Sequence, residues 1–136
     1  MTPTAVALLG FVAWTILLVL ILAFYRVSLV TTGKRASPNF NANGDDVEGF
    51  GRRITRAHAN CYENLPLFGA VLLYAIATSQ TVVTDGLAMI FLGARVLQSV
   101  THIASTSRNA VTIRFVFYVV QISILAYWII RLAHLI

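Results

Sequence analysis

Long apolar stretches separated by short polar breaks set the pattern of this chain. Ala5 to Phe24 carries no charged residue over 20 positions, enough at about 1.5 Å per residue to cross a hydrocarbon core of roughly 30 Å. The pattern predicts a first membrane span over about 5–30. Met1 to Thr4 holds no Lys or Arg, which argues for a retained helix rather than a cleaved leader. Gly33 to Gly51, rich in Gly, Asn, Asp and Ser, reads as an aqueous loop. A second span is predicted over about 53–79 with a kink at Pro66, a third over about 87–104 and a fourth over about 110–130. Ser79 to Gly86 and Ser105 to Asn109 read as turns, and Trp128, Arg131 and His134 as an interfacial finish.

Polar residues fall on these spans in stripes. Arg53, Arg56, Asn60 and Glu63 stand at i, i+3, i+7 and i+10, within an arc of roughly 80° on one helical face. Arg95, Gln98 and His102 repeat the first three spacings on the third span, and Arg114, Tyr118 and Gln121 share a side of the fourth. Ionisable groups carried into a membrane are costly and by default mark a function. If the stripes converge, they form a pocket with a cationic mouth and a deeper carboxylate. Such a pocket suits a ligand bearing two carboxylates and an ammonium. The competing reading is structural, with Glu63 paired to Arg56 on its own helix or to Arg95 on the next. His102 as an interhelical hydrogen-bond partner and Tyr118 as an interfacial aromatic are the plain counterparts of acid-base roles. Arg26, near the end of the first span, reads as a snorkelling cation.

Composition fixes the class: 58% of the 136 residues are hydrophobic and 11% charged, which describes an all-α, polytopic membrane protein with one four-helix domain over 1–136. The net charge of +5 does not indicate nucleic acid, because the basic residues cluster at the ends of apolar runs. Lys34, Arg35, Arg52, Arg53 and Arg108 flank the first and third connections while the second has none, so the positive-inside rule puts those loops in the cytoplasm and both termini outside. Short loops and the lack of a presequence are compatible with a bacterial inner membrane, the expected location, and an internal eukaryotic membrane satisfies the same signals. Cys61 is the only cysteine, which excludes an intrachain disulfide, and it lies off the polar arc as a buried thiol. No Walker, GxSxG or HExxH motif and no acid cluster suited to a hard metal is present, so no metal site is expected.

The run Arg53-x-x-Arg56-Ala57-x-x-Asn60-Cys61-x-Glu63-x-x-Pro66-Leu67-Phe68 resembles the second-helix signature of the MAPEG family, the membrane-associated proteins in eicosanoid and glutathione metabolism. The likeness extends to the basic first loop, Ala94 and Arg95 in the third span, and Arg114 followed by Tyr118 in the fourth. It implies a homotrimer of four-helix subunits with glutathione at the subunit boundaries, and a glutathione-dependent transferase or peroxidase acting on lipophilic electrophiles or lipid hydroperoxides. By position, Arg53, Arg56, Asn60 and Glu63 would hold the tripeptide, with Arg35 reaching in from an adjoining subunit. Arg114 would stabilise the thiolate, with Arg108 a rival because the preceding turn is long. Tyr118 would line the site. His102 stands where many glutathione-binding relatives have tyrosine, and Arg95 matches a structural arginine. One branch of the family binds lipid and supports a partner enzyme without catalysis, so that reading stands beside the enzyme. A third, proton-coupled export by a small transporter built on Glu63, is opposed by the arginines that would share its site.

Overall fold

The computed structural model describes residues 1–134. Its regular elements among these are four α-helices: α1 (Pro3–Thr31), α2 (Phe50–Ala77), α3 (Thr81–Ala104) and α4 (Arg108–Leu132). α1, α3 and α4 are long and apolar enough to cross a membrane by length and composition. α2 is long enough at 28 residues, but the charged stripe in its first half keeps it outside that hydropathy class. It nevertheless runs beside α1 and α3, continuous through Pro66. α3 begins at Thr81, so the second connection is shorter than the Ser79–Gly86 turn read from composition.

α3 is the central helix. It packs on each of the others, α2 touches α4 lightly, and α1 and α4 do not meet. The ring of Phe91 on α3 shows why: it stacks on Phe68 of α2 with centroids 4.4 Å apart, and meets Phe11 of α1 at 5.6 Å and Trp128 of α4 at 5.8 Å, both edge-on. Trp128 is therefore a fully buried core residue and not the interfacial aromatic its position near the end of the chain suggests. The outward faces carry Leu9, Leu20, Met89, Ile90, Phe115 and Val116, as a surface solvated by lipid requires.

The two ends of the bundle are tied differently. At the end holding the N-terminus, the Asp85 carboxylate accepts from the Thr4 backbone N–H (3.0 Å) and hydroxyl (2.6 Å), satisfying one of α1's unpaired first-turn donors from a neighbouring helix. At the opposite end, α2 enters close against α1: a Cβ on Gly51 would lie 2.5 Å from the Tyr25 ring, and Tyr25 meets Phe50 edge-on at 5.5 Å. That close approach sets the first turn of α2, with its arginines, beside the last turn of α3.

Candidate functional site

At this end Arg52, Arg53 and Arg56 of α2, His102 of α3, Thr106 of the third connection and Arg114 of α4 line a cleft of about 410 Å³. No acidic residue lines it. Arg53 Nε donates to the Ile103 carbonyl at 2.6 Å. That oxygen is one of the acceptors a helix leaves unpaired in its last turn, so Arg53 closes the α3 C-terminus and is itself fixed in place. The N-termini of α2 and α4 point the positive ends of their dipoles toward the same end of the bundle.

Arg114 is held from two sides. Its Nη1 lies 2.9 Å from His102 Nδ1. A guanidinium only donates, so His102 Nδ1 is the acceptor and the imidazole is the neutral tautomer with its proton on Nε2. From below, Gln98 Nε2 donates to the Arg114 carbonyl at 3.2 Å, and Gln121 Nε2 donates to Gln98 Oε1 at 3.1 Å. Both amides are buried and lock α3 to α4 beneath the cleft.

Arg95 lies deeper and is sealed. It is 0% exposed, its Nη1 donates to Asn60 Oδ1 at 2.7 Å, and its guanidinium sits 5.2 Å from the Phe11 ring and 5.9 Å from that of Phe68. Its Nε and Nη2 have no hydrogen-bond partner. Asn60 is thus turned into the core, and its backbone carbonyl takes the Asn64 side-chain amide at 2.8 Å. Cys61 is buried beside the pair, 3.2 Å from the Ser99 hydroxyl.

Glu63 is exposed and forms no ion pair among the described residues, with Arg56, Arg95 or any other cation. It lines a second hollow of about 220 Å³ with Ala42, Asn43, Arg56, Ala59 and Tyr62. Arg56 borders both hollows, so the carboxylate and the cationic cleft adjoin across one side chain. Tyr118, one turn along α4 from Arg114, is 38% exposed and outside the cleft lining. Arg108 is exposed at the first position of α4, also outside the lining.

Arg35 is engaged within its own loop. It donates to the Asp46 carboxylate at 2.6 Å, the Asp46 carbonyl at 3.0 Å and the Asn39 carbonyl at 2.7 Å, and lies 4.4 Å from the Phe40 ring centre. Burial works to raise the Asp46 pKa, but hydrogen bonds from the Asn41 and Asp46 backbone N–H groups and from Arg35 outweigh it and hold this carboxyl below its ordinary 3.8.

Of the residues singled out by spacing and resemblance, Arg53, Arg56, His102 and Arg114 come together in one cleft. Glu63 adjoins it, Asn60 and Arg95 pair beneath it, and Arg35 and Tyr118 stand apart from it in the single subunit. Arg52 and Thr106 join the lining although the sequence places Arg52 only on the loop rim. Gln98 and Gln121 clamp Arg114, a role that their spacing alone does not assign. Two amides sharing faces with the arginine stripes were the available signal.

An arginine-rich cleft open at one end of a helical bundle is suited to polyanionic ligands. The MAPEG family model matches residues 4–134. No curated protein and no solved structure matches the chain. Because that match leaves out only the first three and last two residues, and the four helices are those of a membrane protein, the chain belongs to the MAPEG family.

Proposed function

We propose that this protein is a glutathione-dependent membrane transferase or peroxidase. The observation that carries the reading is the cleft itself, lined by four arginines without an acid, with an unpaired carboxylate one side chain away. Glutathione has two carboxylates and one ammonium, and the donor set matches that charge pattern. Arg53 and Arg56 take carboxylates through their free guanidinium nitrogens, and Glu63 takes the ammonium. Asn60 and Arg95 set the spacing of α2 and α3 beneath the ligand.

Glutathione supplies the thiol whose sulfur adds to a lipophilic electrophile or displaces its leaving group. Alternatively the sulfur attacks a hydroperoxide and breaks its O–O bond to release the alcohol, a second glutathione then displacing water to leave the disulfide. Arg114 contributes a fixed positive charge beside that sulfur, which favours its anionic form, and the released proton passes to water at the open mouth of the cleft. His102 accepts from Arg114 and so aims the guanidinium without competing for the anion. Lipophilic substrate arrives from the bilayer, along the α4 face that carries Tyr118.

Assembly as a homotrimer belongs to the same reading. Glu63 is exposed on a single subunit although it stands on a helix packed among membrane spans, and a carboxylate facing hydrocarbon is costly. A second copy that covers α2 removes that cost and closes the open side of the site. The cleft faces the cytoplasm, because the basic connections lie at its end.

The non-catalytic reading has one observation in its favour. With Tyr118 outside the cleft, Arg114 is the single group left for thiol activation. Purified protein in detergent separates the two. On addition of glutathione the wild type gains the ultraviolet absorbance of a thiolate, and Arg114→Ala does not. Wild-type protein that binds a hydrophobic ligand yet shows neither thiolate nor conjugation with a panel of electrophiles contradicts the enzyme reading.

A further inference from the structure

A second arginine site lies between α1 and the first loop and shares no lining residue with the cleft. Ala23, Arg26, Val27, Val30 and Thr31 of α1 and Pro38 and Phe40 of the first loop enclose a hollow of about 420 Å³. Every lining residue but Arg26 and Thr31 is apolar, and Arg26 is the only charged one. Its guanidinium lies 5.1 Å from the Phe40 ring centre, its Nη2 reaches the Asn41 carbonyl at 3.3 Å, and its Nε is buried with no hydrogen-bond partner. No carboxylate pairs with it among the described residues: Asp46 is taken by Arg35 at 2.6 Å and Asp45 lies against Arg52 at 3.4 Å.

Depth matters as much as charge. Arg26 precedes the end of α1 by five residues, about 8 Å along the axis, which places it at the boundary between acyl chains and headgroups. Val27, level with Arg26, and Ala23, one turn deeper, are exposed and run toward the bilayer interior, while Val30 lies one turn on the headgroup side. The loop side of the hollow is a built wall, because Phe40 is flanked by both Arg26 and Arg35, and Arg35 is anchored to Asp46.

We infer that this hollow binds one anionic phospholipid, its phosphate on Arg26 and the start of one acyl chain along Val27 and Ala23. Charge complementarity selects this occupant. An unpaired cation at headgroup depth favours a net negative lipid over a zwitterionic one, whose own ammonium would lie against it. Lys34, exposed and without an ion pair at the same end, adds to the local positive field. The site is independent of glutathione, since none of its residues lines the cleft.

The test is native mass spectrometry of the purified full-length protein in a neutral detergent, with phosphatidylglycerol and phosphatidylcholine of the same acyl chains added together at equal concentration. The wild type is expected to retain phosphatidylglycerol over phosphatidylcholine by about fivefold, the effect of one cation near a membrane surface. Arg26→Gln abolishes the preference, and Arg26→Lys keeps most of it. Val27→Trp fills the apolar half and lowers retention of both lipids, which keeps the idea testable if Arg26→Gln fails to fold. Glycerol phosphate without acyl chains does not compete. Equal retention of the two lipids by the wild type, a preference that survives Arg26→Gln, or full competition by glycerol phosphate overturns the assignment.

Discussion

Arg95 and Arg114 stand on neighbouring helices of one bundle, and the fold treats them in opposite ways. Arg95 is enclosed: an amide oxygen takes one of its nitrogens, two aromatic rings border the guanidinium, and nothing can approach it. Arg114 stands in an open cleft among three further arginines, with a neutral imidazole fixing its direction. A cation in membrane protein is costly in either setting, and what offsets the cost differs. Around Arg95 it is internal contact, so the residue serves the packing of α1, α2 and α3. Arg114 instead faces an open cleft shared with Arg52, Arg53 and Arg56, a concentration of positive charge that an anion from outside would offset.

The largest separation between the two regions is expected in catalysis. Arg114→Ala should lower turnover by about 10²–10³-fold while melting unchanged, the usual loss when one fixed donor to a developing anion is removed. Arg95→Ala should do the reverse. It leaves a cavity between Phe11 and Phe68 and strips Asn60 Oδ1 of its donor, which costs roughly 2–4 kcal/mol in thermal or denaturant unfolding. Glutathione affinity of the folded fraction should be retained. If instead Arg95→Ala folds normally and loses the thiolate signal, the comparison has the two arginines reversed.

His102→Leu probes the contact that distinguishes the cleft. Loss of the acceptor leaves Arg114 charged but free to swing, and turnover should fall about tenfold, in keeping with one hydrogen bond to a charged group. His102→Asn, which can still present an acceptor, should recover part of it. Equal losses in both variants would mean that His102 acts otherwise than as an acceptor.

The sequence made the helices legible because apolar runs of about 20 residues have few alternatives. It also marked the arginines, since any charge on such a run stands out. What it left open was which way each stripe turns. Arg95, Gln98 and His102 share one face by spacing, yet the first two are sealed while His102 borders the cleft, because the cleft opens only beyond the depth of Gln98. Asn60 and Glu63 differ for a related reason: three residues place them 60° apart at about 100° per residue, and α3 lies on the Asn60 side. Arg52 was invisible as a lining residue because its place depends on how closely α2 approaches α1 at Gly51. Trp128 near the end of α4 has the sequence position of an interfacial aromatic, and its burial depends on the edge-on contact with Phe91 of α3, which the spacing along one helix does not encode.

The smallest effect concerns the first loop. A carboxyl held below its ordinary pKa stabilises the fold above that ordinary value and ceases to as pH falls through its lower folded value. The Asp46 tie should therefore be intact from neutral pH down to about 5 and fail only below the ordinary 3.8. Peptic cleavage within 32–49 should rise steeply only in that acid range, and Asp46→Asn should show the cleavage earlier. A rise beginning near pH 6 would exclude Asp46 as the group responsible.

The measurement closest to the central claim is calorimetric titration of glutathione into the purified protein in detergent. The cationic cleft predicts saturable heat whose affinity weakens as salt is raised and is lost in Arg56→Gln, the one arginine that borders both hollows. Absence of saturable binding in the folded wild type, or binding indifferent to both salt and Arg56, would contradict it.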